Sequence, residues 1–221
     1  MVLALYKMDV SPPCRSVFMV IEALNIPNVK LIELDLLQDE HLKEDFLKIN
    51  PQHTIPTLVD EDFVVWDSHA IATYLINKYE SHSPLYPADA RKRALVDLRL
   101  HFDSSILYPA LREVDEPLLF WNEPSLKPEG LAKIKVAYDF TEKFLSTSTW
   151  LAGDDVTVAD ICCVATISSL NDLLPIDAAV YPNIIAWIGR CSKYDWYKKG
   201  NEPGAIGYRQ LVKEYLERGK Q

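Results

Sequence analysis

Ser11-Pro12-Pro13-Cys14 stands between a five-residue apolar run, Val2-Leu3-Ala4-Leu5-Tyr6, and an amphipathic stretch from Arg15 to Leu24. The run has the length and composition of a short buried strand, and Val17, Val20, Ile21 and Leu24 share one face of a helix. Proline in a first helical turn costs no hydrogen bond, because those amides have no intrahelical acceptor. The Ser11 hydroxyl, at the mouth of that helix, can donate a hydrogen bond to an anion supplied by another molecule. The helix amides behind it favour negative charge.

A strand, a turn and a helix opening on proline is also how thioredoxin-like redox proteins present a Cys-x-x-Cys pair. With Ser11 at its first position the motif cannot form a disulfide, but it can stabilise a visiting thiolate. Working outward, Val29 to Leu34 reads as a second strand and Asp39 to Lys48 as a short polar helix. Thr57-Leu58-Val59 and Phe63-Val64-Val65 read as strands joined by the acidic turn Asp60-Glu61-Asp62. Ser68 to Tyr79 is a helix with Ile71, Tyr74, Leu75 and the stem of Lys78 inward. The order βαβαββα suits a four-stranded mixed sheet flanked by helices.

Past Ser81-His82-Ser83-Pro84 the strand signal disappears. In a long helix from Asp89, Leu95, Leu98, Phe102 and Ile106 form one face; Arg91, Arg93, Asp97, Arg99 and Asp103 form the other. Pro109 interrupts and kinks it. Glu129 to Leu145, Val158 to Leu173, Pro182 to Tyr194 and Ala205 to Arg218 supply further helices, the second apolar enough to run through the middle of a bundle. The chain therefore divides into an α+β unit over residues 1–83 and an all-helical unit over 89–221.

With 221 residues, 48% of them apolar, the chain can bury a sizeable core. Its net charge of −9 argues against nucleic acid and anionic membrane surfaces as partners. The apolar run before Lys7 and Asp9 is too short for a signal peptide's core, and no run reaches membrane-spanning length. Cys14, Cys162, Cys163 and Cys191 have no metal-ligand spacing and no obvious pairing, which points to a reduced cytoplasmic protein without metal.

Three further motifs carry chemistry. In Asn50-Pro51-Gln52-His53-Thr54-Ile55-Pro56, a cis peptide before Pro56 would turn the backbone of Ile55 toward a peptide docking beside Ser11 as an added strand. A trans proline closing a loop is the plainer alternative. Asp67-Ser68-His69 opens a helix: Ser68 and the free amides could hold a carboxylate, and Asp67 an ammonium group, although Asp67 also suits a simple N-cap. Thr157-Val158-Ala159-Asp160 is a capping box and reads as structural. Tyr108, Leu111, Leu119, Phe120 and Trp121 around Arg112 and Glu113 make a mixed apolar wall, as in a hydrophobic ligand pocket or a plain core.

These motifs, in this order and spacing, resemble those of the cytosolic glutathione transferases, particularly the insect epsilon class with delta as near relative. The resemblance spans the chain and includes Leu151-Ala152-Gly153 before the capping box. It implies a thioredoxin-like domain that binds glutathione and an all-helical domain that supplies the substrate site. Ser11 would donate to the glutathione sulfur. His53, with His41 assisting, would meet the glycyl carboxylate, and Ile55 would pair through its backbone with the cysteinyl unit, flanked by Thr54 and Pro56. Asp67 and Ser68, beside His69, would hold the γ-glutamyl end. Asp67 replaces the usual Glu, and His69 replaces the Arg typical of delta members. Met8, Pro13, Leu36, Tyr108, Leu111, Arg112, Glu113, Leu119, Phe120 and Tyr208 would line the hydrophobic-substrate site. A homodimer through residues 89–105 is implied as well.

A free thiol titrates near ~8.5, and lowering that by about 2 units requires roughly 2.7 kcal/mol of preferential thiolate stabilisation. A charge-assisted hydrogen bond from Ser11 contributes about 1.5–3 kcal/mol. The helix dipole adds about 0.3–1 kcal/mol. Those magnitudes suffice for conjugation of glutathione to small hydrophobic electrophiles, as in detoxification. The competing readings are a non-catalytic carrier of hydrophobic ligands or steroids on the same fold, and an oxidoreductase, whose usual cysteine is here Ser11. A narrower one concerns Glu113: it could accept a bond from a steroid hydroxyl, as in the Noppera-bo group, or it faces solvent or pairs with Arg112, the plainer expectation.

Overall fold

A computed structural model describes residues 3–121, 123 and 125–218. Strands β1 (Leu3–Lys7), β2 (Lys30–Glu33), β3 (Thr57–Asp60) and β4 (Phe63–Trp66) form one sheet in the order β2-β1-β3-β4. β1 runs parallel to β2 and antiparallel to β3, and β3 is antiparallel to β4. The sheet is therefore mixed, as the element order implies.

Helix α1 (Pro12–Ala23) joins the two halves of the molecule. Its buried residues, among them Arg15, Val17, Met19 and Val20, leave no solvent-facing stripe. It packs against α3 (Ser68–Tyr79) on one side, and against α7 (Val158–Leu173) and α9 (Asp195–Gly200) on the other. One continuous core follows, from Leu3 and Leu5 in β1 through Val17 and Val20 to Ile161, Val164 and Trp187. A smaller cluster of Cys14, Leu34, Phe46 and Ile55 supports the site from below. Two glycines permit the close approaches. A Cβ on Gly200 would lie 2.7 Å from the backbone nitrogen of Met19, and one on Gly204 only 2.1 Å from the carbonyl oxygen of Asp9.

The remaining helices are α2 (Glu44–Leu47), α4 (Ala90–Phe102), α5 (Tyr108–Phe120), α6 (Pro128–Leu145), α8 (Pro182–Cys191) and α10 (Glu202–Arg218). Several differ from expectation. The polar helix over 39–48 breaks into 3-10 turns at Leu36–Gln38 and Glu40–Leu42 followed by the single turn α2, because Asp39 is left-handed (φ 55°) and cannot continue a helix. The helix over 182–194 ends at Cys191, and α9 follows as a separate turn. Pro109 does not kink the long helix where it stands. A wide π turn at Asp103–Leu107 takes up the break ahead of it, and Pro109 sits in the first turn of α5, where its missing N–H does no harm. The face assigned to α4 is also rotated: Val96, Leu100 and Phe102 are buried, whereas Leu95 and Leu98 are 47% and 53% exposed. Asp103, expected on the solvent face, is buried.

Candidate active site

The Ser11 hydroxyl stands at the first turn of α1 without capping it. An N-cap serine ordinarily accepts from the second or third amide of its helix. Here the first two helical positions are Pro12 and Pro13, and Ser11 makes no side-chain capping bond. The backbone of Ser11 is fixed instead: its N–H donates to Met8 (3.0 Å) and its carbonyl accepts from Arg15 (3.0 Å). Cys14, one turn on, is fully buried; burial pushes its thiol up to about 12 despite hydrogen bonds with Met8 and Ser11. It stays protonated and is no nucleophile.

Two adjoining clefts open here. The first, about 390 Å³, holds Ser11, Met8, Leu36, His41 and His53 on one side, with Tyr108, Arg112, Asp115, Glu116, Leu119, Phe120, Trp121 and Tyr208 on the other. The second, about 270 Å³, holds Pro13, Pro56, Asp67, Ser68, His69, Asp103 and Ser104. Pro12, Thr54, Ile55, Tyr108 and Arg112 line both. Ser11 and Ser68 thus lie in neighbouring halves of one groove with Ile55 at the join.

Asn50 shapes the segment that carries Ile55. Fully buried, it donates through Nδ2 to the carbonyl oxygen of Thr54 (3.0 Å) and to the hydroxyls of Thr54 (3.1 Å) and Thr57 (2.9 Å). Its own Oδ1 accepts from the Gln52 amide (2.9 Å). The Ile55–Pro56 peptide is cis. Across the groove His41 and His53 approach to 5.8 Å between ring centroids, and burial together with the His53 charge lowers the pKa of His41.

At the head of α3, Asp67 (φ 72°) caps the helix: its Oδ1 accepts from the amides of His69 (2.9 Å) and Ala70 (3.0 Å). His69 Nε2 pairs with Asp103 Oδ2 at 2.8 Å. Burial works against the imidazolium, but the hydrogen bond and charge of Asp103 outweigh it and raise the pKa of His69. Asp103 keeps its Oδ1 buried and without a partner.

Two residues assigned to the substrate wall lie elsewhere. Leu111 is fully buried in the core, and Glu113 pairs with Lys133 of α6 at 2.8 Å, away from both clefts. Glu113 does not pair with Arg112, which is held by Glu116 (2.6 Å). The acidic residues that do reach the cleft are Asp115 and Glu116. Sequence reading missed them, and missed Asp103, Ser104 and Trp66 in the second cleft. The charged run Arg112-Glu113-Val114-Asp115-Glu116 was the available signal.

The fold and groove define a two-part protein in which a thioredoxin-like sheet presents a peptide-sized cleft to an all-helical partner domain. Residues 5–83 match the family profile "Glutathione S-transferase, N-terminal domain" and residues 96–195 the profile "Glutathione S-transferase, C-terminal domain". "Glutathione S-transferase 1" of Manduca sexta is 60% identical over 217 residues, covering 98% of this chain and 100% of the relative. An epsilon-class glutathione S-transferase from the housefly Musca domestica superposes with TM-score 0.93 at 38% identity, covering 96% of this chain and 98% of that one. A glutathione transferase homologue from Drosophila mojavensis, solved with bound glutathione, gives TM-score 0.93 at 40% identity over 96% and 97% of the chains. The chain belongs to the glutathione S-transferase family, with epsilon-class enzymes among its structural neighbours. It is an enzyme whose co-substrate is glutathione. Among the described residues no group of three or more His, Cys, Asp or Glu is placed to hold a metal, and no helix is long and apolar enough to cross a membrane.

Proposed function

We propose that the chain stabilises the glutathione thiolate through Ser11 and conjugates it to small hydrophobic electrophiles, a detoxifying activity. The observation that carries this reading is the Ser11 hydroxyl: it makes no capping bond to its helix, and it lines the cleft that also holds the apolar wall of α5. Glutathione lies along the groove, its sulfur at Ser11, its cysteinyl unit against the backbone of Ile55, and its glycyl carboxylate toward His53 and His41. Ser68, through its hydroxyl and its amide, receives the γ-glutamyl carboxylate; Asp67 receives the ammonium, beside the unpaired Oδ1 of Asp103. The Drosophila mojavensis homologue, solved with bound glutathione, supports glutathione as the occupant of this groove. The electrophile sits against Met8, Leu36, Tyr108, Leu119, Phe120 and Tyr208. Exposed Leu95 and Leu98 on α4 fit a homodimer through that helix, and four buried free cysteines fit a reducing cytoplasm.

Ser11→Ala tests the central role. The bound thiol's pKa, read from thiolate absorbance, is expected to rise by about 1 to 2 units with glutathione affinity largely retained. An unchanged pKa with unchanged turnover removes Ser11 from the mechanism.

A further inference from the structure

The first cleft contains two carboxyl groups that the chemistry at Ser11 does not use: Glu116, which is paired with Arg112, and Asp115. Asp115 lies on the cleft face of α5, within the same cavity as Ser11. Its Oδ2 accepts from the hydroxyl of Tyr208 at 3.2 Å. Tyr208, contributed by α10, is itself 2% exposed. Among the described residues no cation forms an ion pair with Asp115, and only the charge of Arg112 acts on it. Arg112, the nearest on its own helix, is held by Glu116 through two contacts of 2.6 and 3.1 Å. The other groups around it are the phenol of Tyr108 on α5 and, across the cleft, His41, His53 and Ser11. The carboxyl also accepts from the amide of Glu116, but both donors are neutral, and a desolvated carboxyl without an ion-pair partner keeps its proton more readily than one in water.

We propose that Asp115 is a catalytic residue of this cleft, a proton donor to the carbonyl oxygen of electrophiles whose carbon–carbon double bond is conjugated to that carbonyl. The proposal rests on the reading in which glutathione is ionised beside Ser11. In the addition, the thiolate sulfur bonds to the β-carbon and the π pair of the double bond shifts to form the enolate. Asp115 passes its proton to the enolate oxygen as charge accumulates there. The enol returns to the carbonyl compound by exchange with solvent, and solvent reprotonates Asp115. One thiol adds across one double bond, with no oxidant or reductant. Burial pushes Asp115 up to about 7, against the hydrogen bond from Tyr208 and the attraction of Arg112, so the donor form is present near neutrality. An aromatic halide displaced by thiolate makes no such demand, because halide departs without a proton.

The experiment uses the full-length enzyme with glutathione and two electrophiles: nonenal, a conjugated enal, and a dinitro-activated aryl chloride. The readout is the ratio of their kcat/KM values between pH about 5.5 and 8.5, which cancels the shared dependence on thiolate. In the wild type the enal-to-halide ratio is expected to fall as pH rises through about 7, as Asp115 loses its proton. In Asp115→Asn the ratio at low pH is expected to drop by about tenfold or more and its pH dependence to flatten. Tyr208→Phe removes a bond that favours the carboxylate, so the midpoint of the ratio is expected to move to higher pH, and it serves if Asp115→Asn fails to fold. The same ratio profile in Asp115→Asn as in wild type, or an unmoved midpoint in Tyr208→Phe, overturns the proposal. Ser11→Ala lowers both rates together and leaves the ratio intact, so failure of the Ser11 reading is seen separately.

Discussion

Arg15 and Asn201, 186 residues apart in sequence, share a hydrogen bond of 2.7 Å in the interior of the molecule. Arg15 is 0% exposed and has no carboxylate against its guanidinium; it donates instead to Asn201, Ser168 (3.1 Å), Ser169 and the carbonyl oxygen of Ala165 (3.2 Å). Burial lowers its pKa to about 10, opposed by the pull of Tyr208, Tyr197 and Asp172, so it remains charged in neutral solution. The backbone of the same residue makes the first helical bond to Ser11. Removing the guanidinium strands four polar partners in the core. Arg15→Leu is expected to cost about 3 kcal/mol or more in urea unfolding. Arg15→Lys is expected to recover only part of that, because a compact ammonium cannot span partners on α7 and beside α10.

The pair His69–Asp103 gives a pH-dependent term of known sign. A histidine whose folded pKa is raised contributes stability that is fully present below its ordinary value near ~6.5 and is lost as pH rises through the folded value. In Asp103→Asn, burial of His69 is left opposed chiefly by the more distant charge of Asp67, so its pKa, followed by NMR of the ring protons, is expected to fall below that of the wild type. The stability gap between the two proteins is expected to be widest in acid and to close as pH rises. A gap that widens with pH rejects the pairing as its cause.

Asp160 does more than close a capping box. Its Oδ2 accepts from the amide (2.9 Å) and hydroxyl (3.0 Å) of Thr157, while Oδ1 accepts from the Leu151 amide (2.9 Å) and the Trp187 indole (2.9 Å). Thr157→Ala is expected to cost about 1 kcal/mol, the ordinary value of a lost cap. Asp160→Ala leaves four buried donors unmatched and is expected to cost about 3 kcal/mol or more. Equal losses in thermal or urea unfolding show that the bonds to Leu151 and Trp187 add nothing.

Asn50→Ala separates shape from chemistry in the segment proposed to pair with glutathione. With its three Nδ2 bonds gone, the turn over residues 50–57 loosens and glutathione affinity, read by calorimetry, is expected to fall by about tenfold, roughly the value of one net hydrogen bond. The thiol pKa of the bound peptide is expected to stay near the wild-type value, since Ser11 is untouched. A shifted pKa with unchanged affinity contradicts that division.

The parts of the fold governed by local chemistry were legible in the sequence. The β1–turn–α1 unit follows from an apolar run, two prolines and an apolar helical face; the hairpin β3–β4 follows from β-branched residues around an acidic turn; the cis Ile55–Pro56 peptide is as expected. The parts set by long-range packing were not. The π turn at Asp103–Leu107 inserts about one extra residue and so rotates the faces of α5 by about 100° against a straight extrapolation from α4. Glu113 lies on the stripe of α5 that faces Lys133, and Asp115 on the stripe that faces the cleft. Leu95 and Leu98 satisfy helical periodicity as well as Val96 and Leu100 do, and periodicity alone cannot choose which stripe meets the neighbouring helices. Asp103 reads as a surface charge until α3 brings His69 against it.

The all-round enclosure of α1 bears on how such enzymes diversify. A hybrid assembled by cutting between Tyr79 and Ala90 would seat one parent's α1 on the other parent's α7 and α9, where Met19 meets a glycine backbone with no room for a methyl. Halves from distant relatives would clash along that seam. Inheritance of the thiol-handling half is thus tied to inheritance of the matching helices, and new substrate preferences arise more readily by changing the inner wall of α5 than by exchanging whole modules.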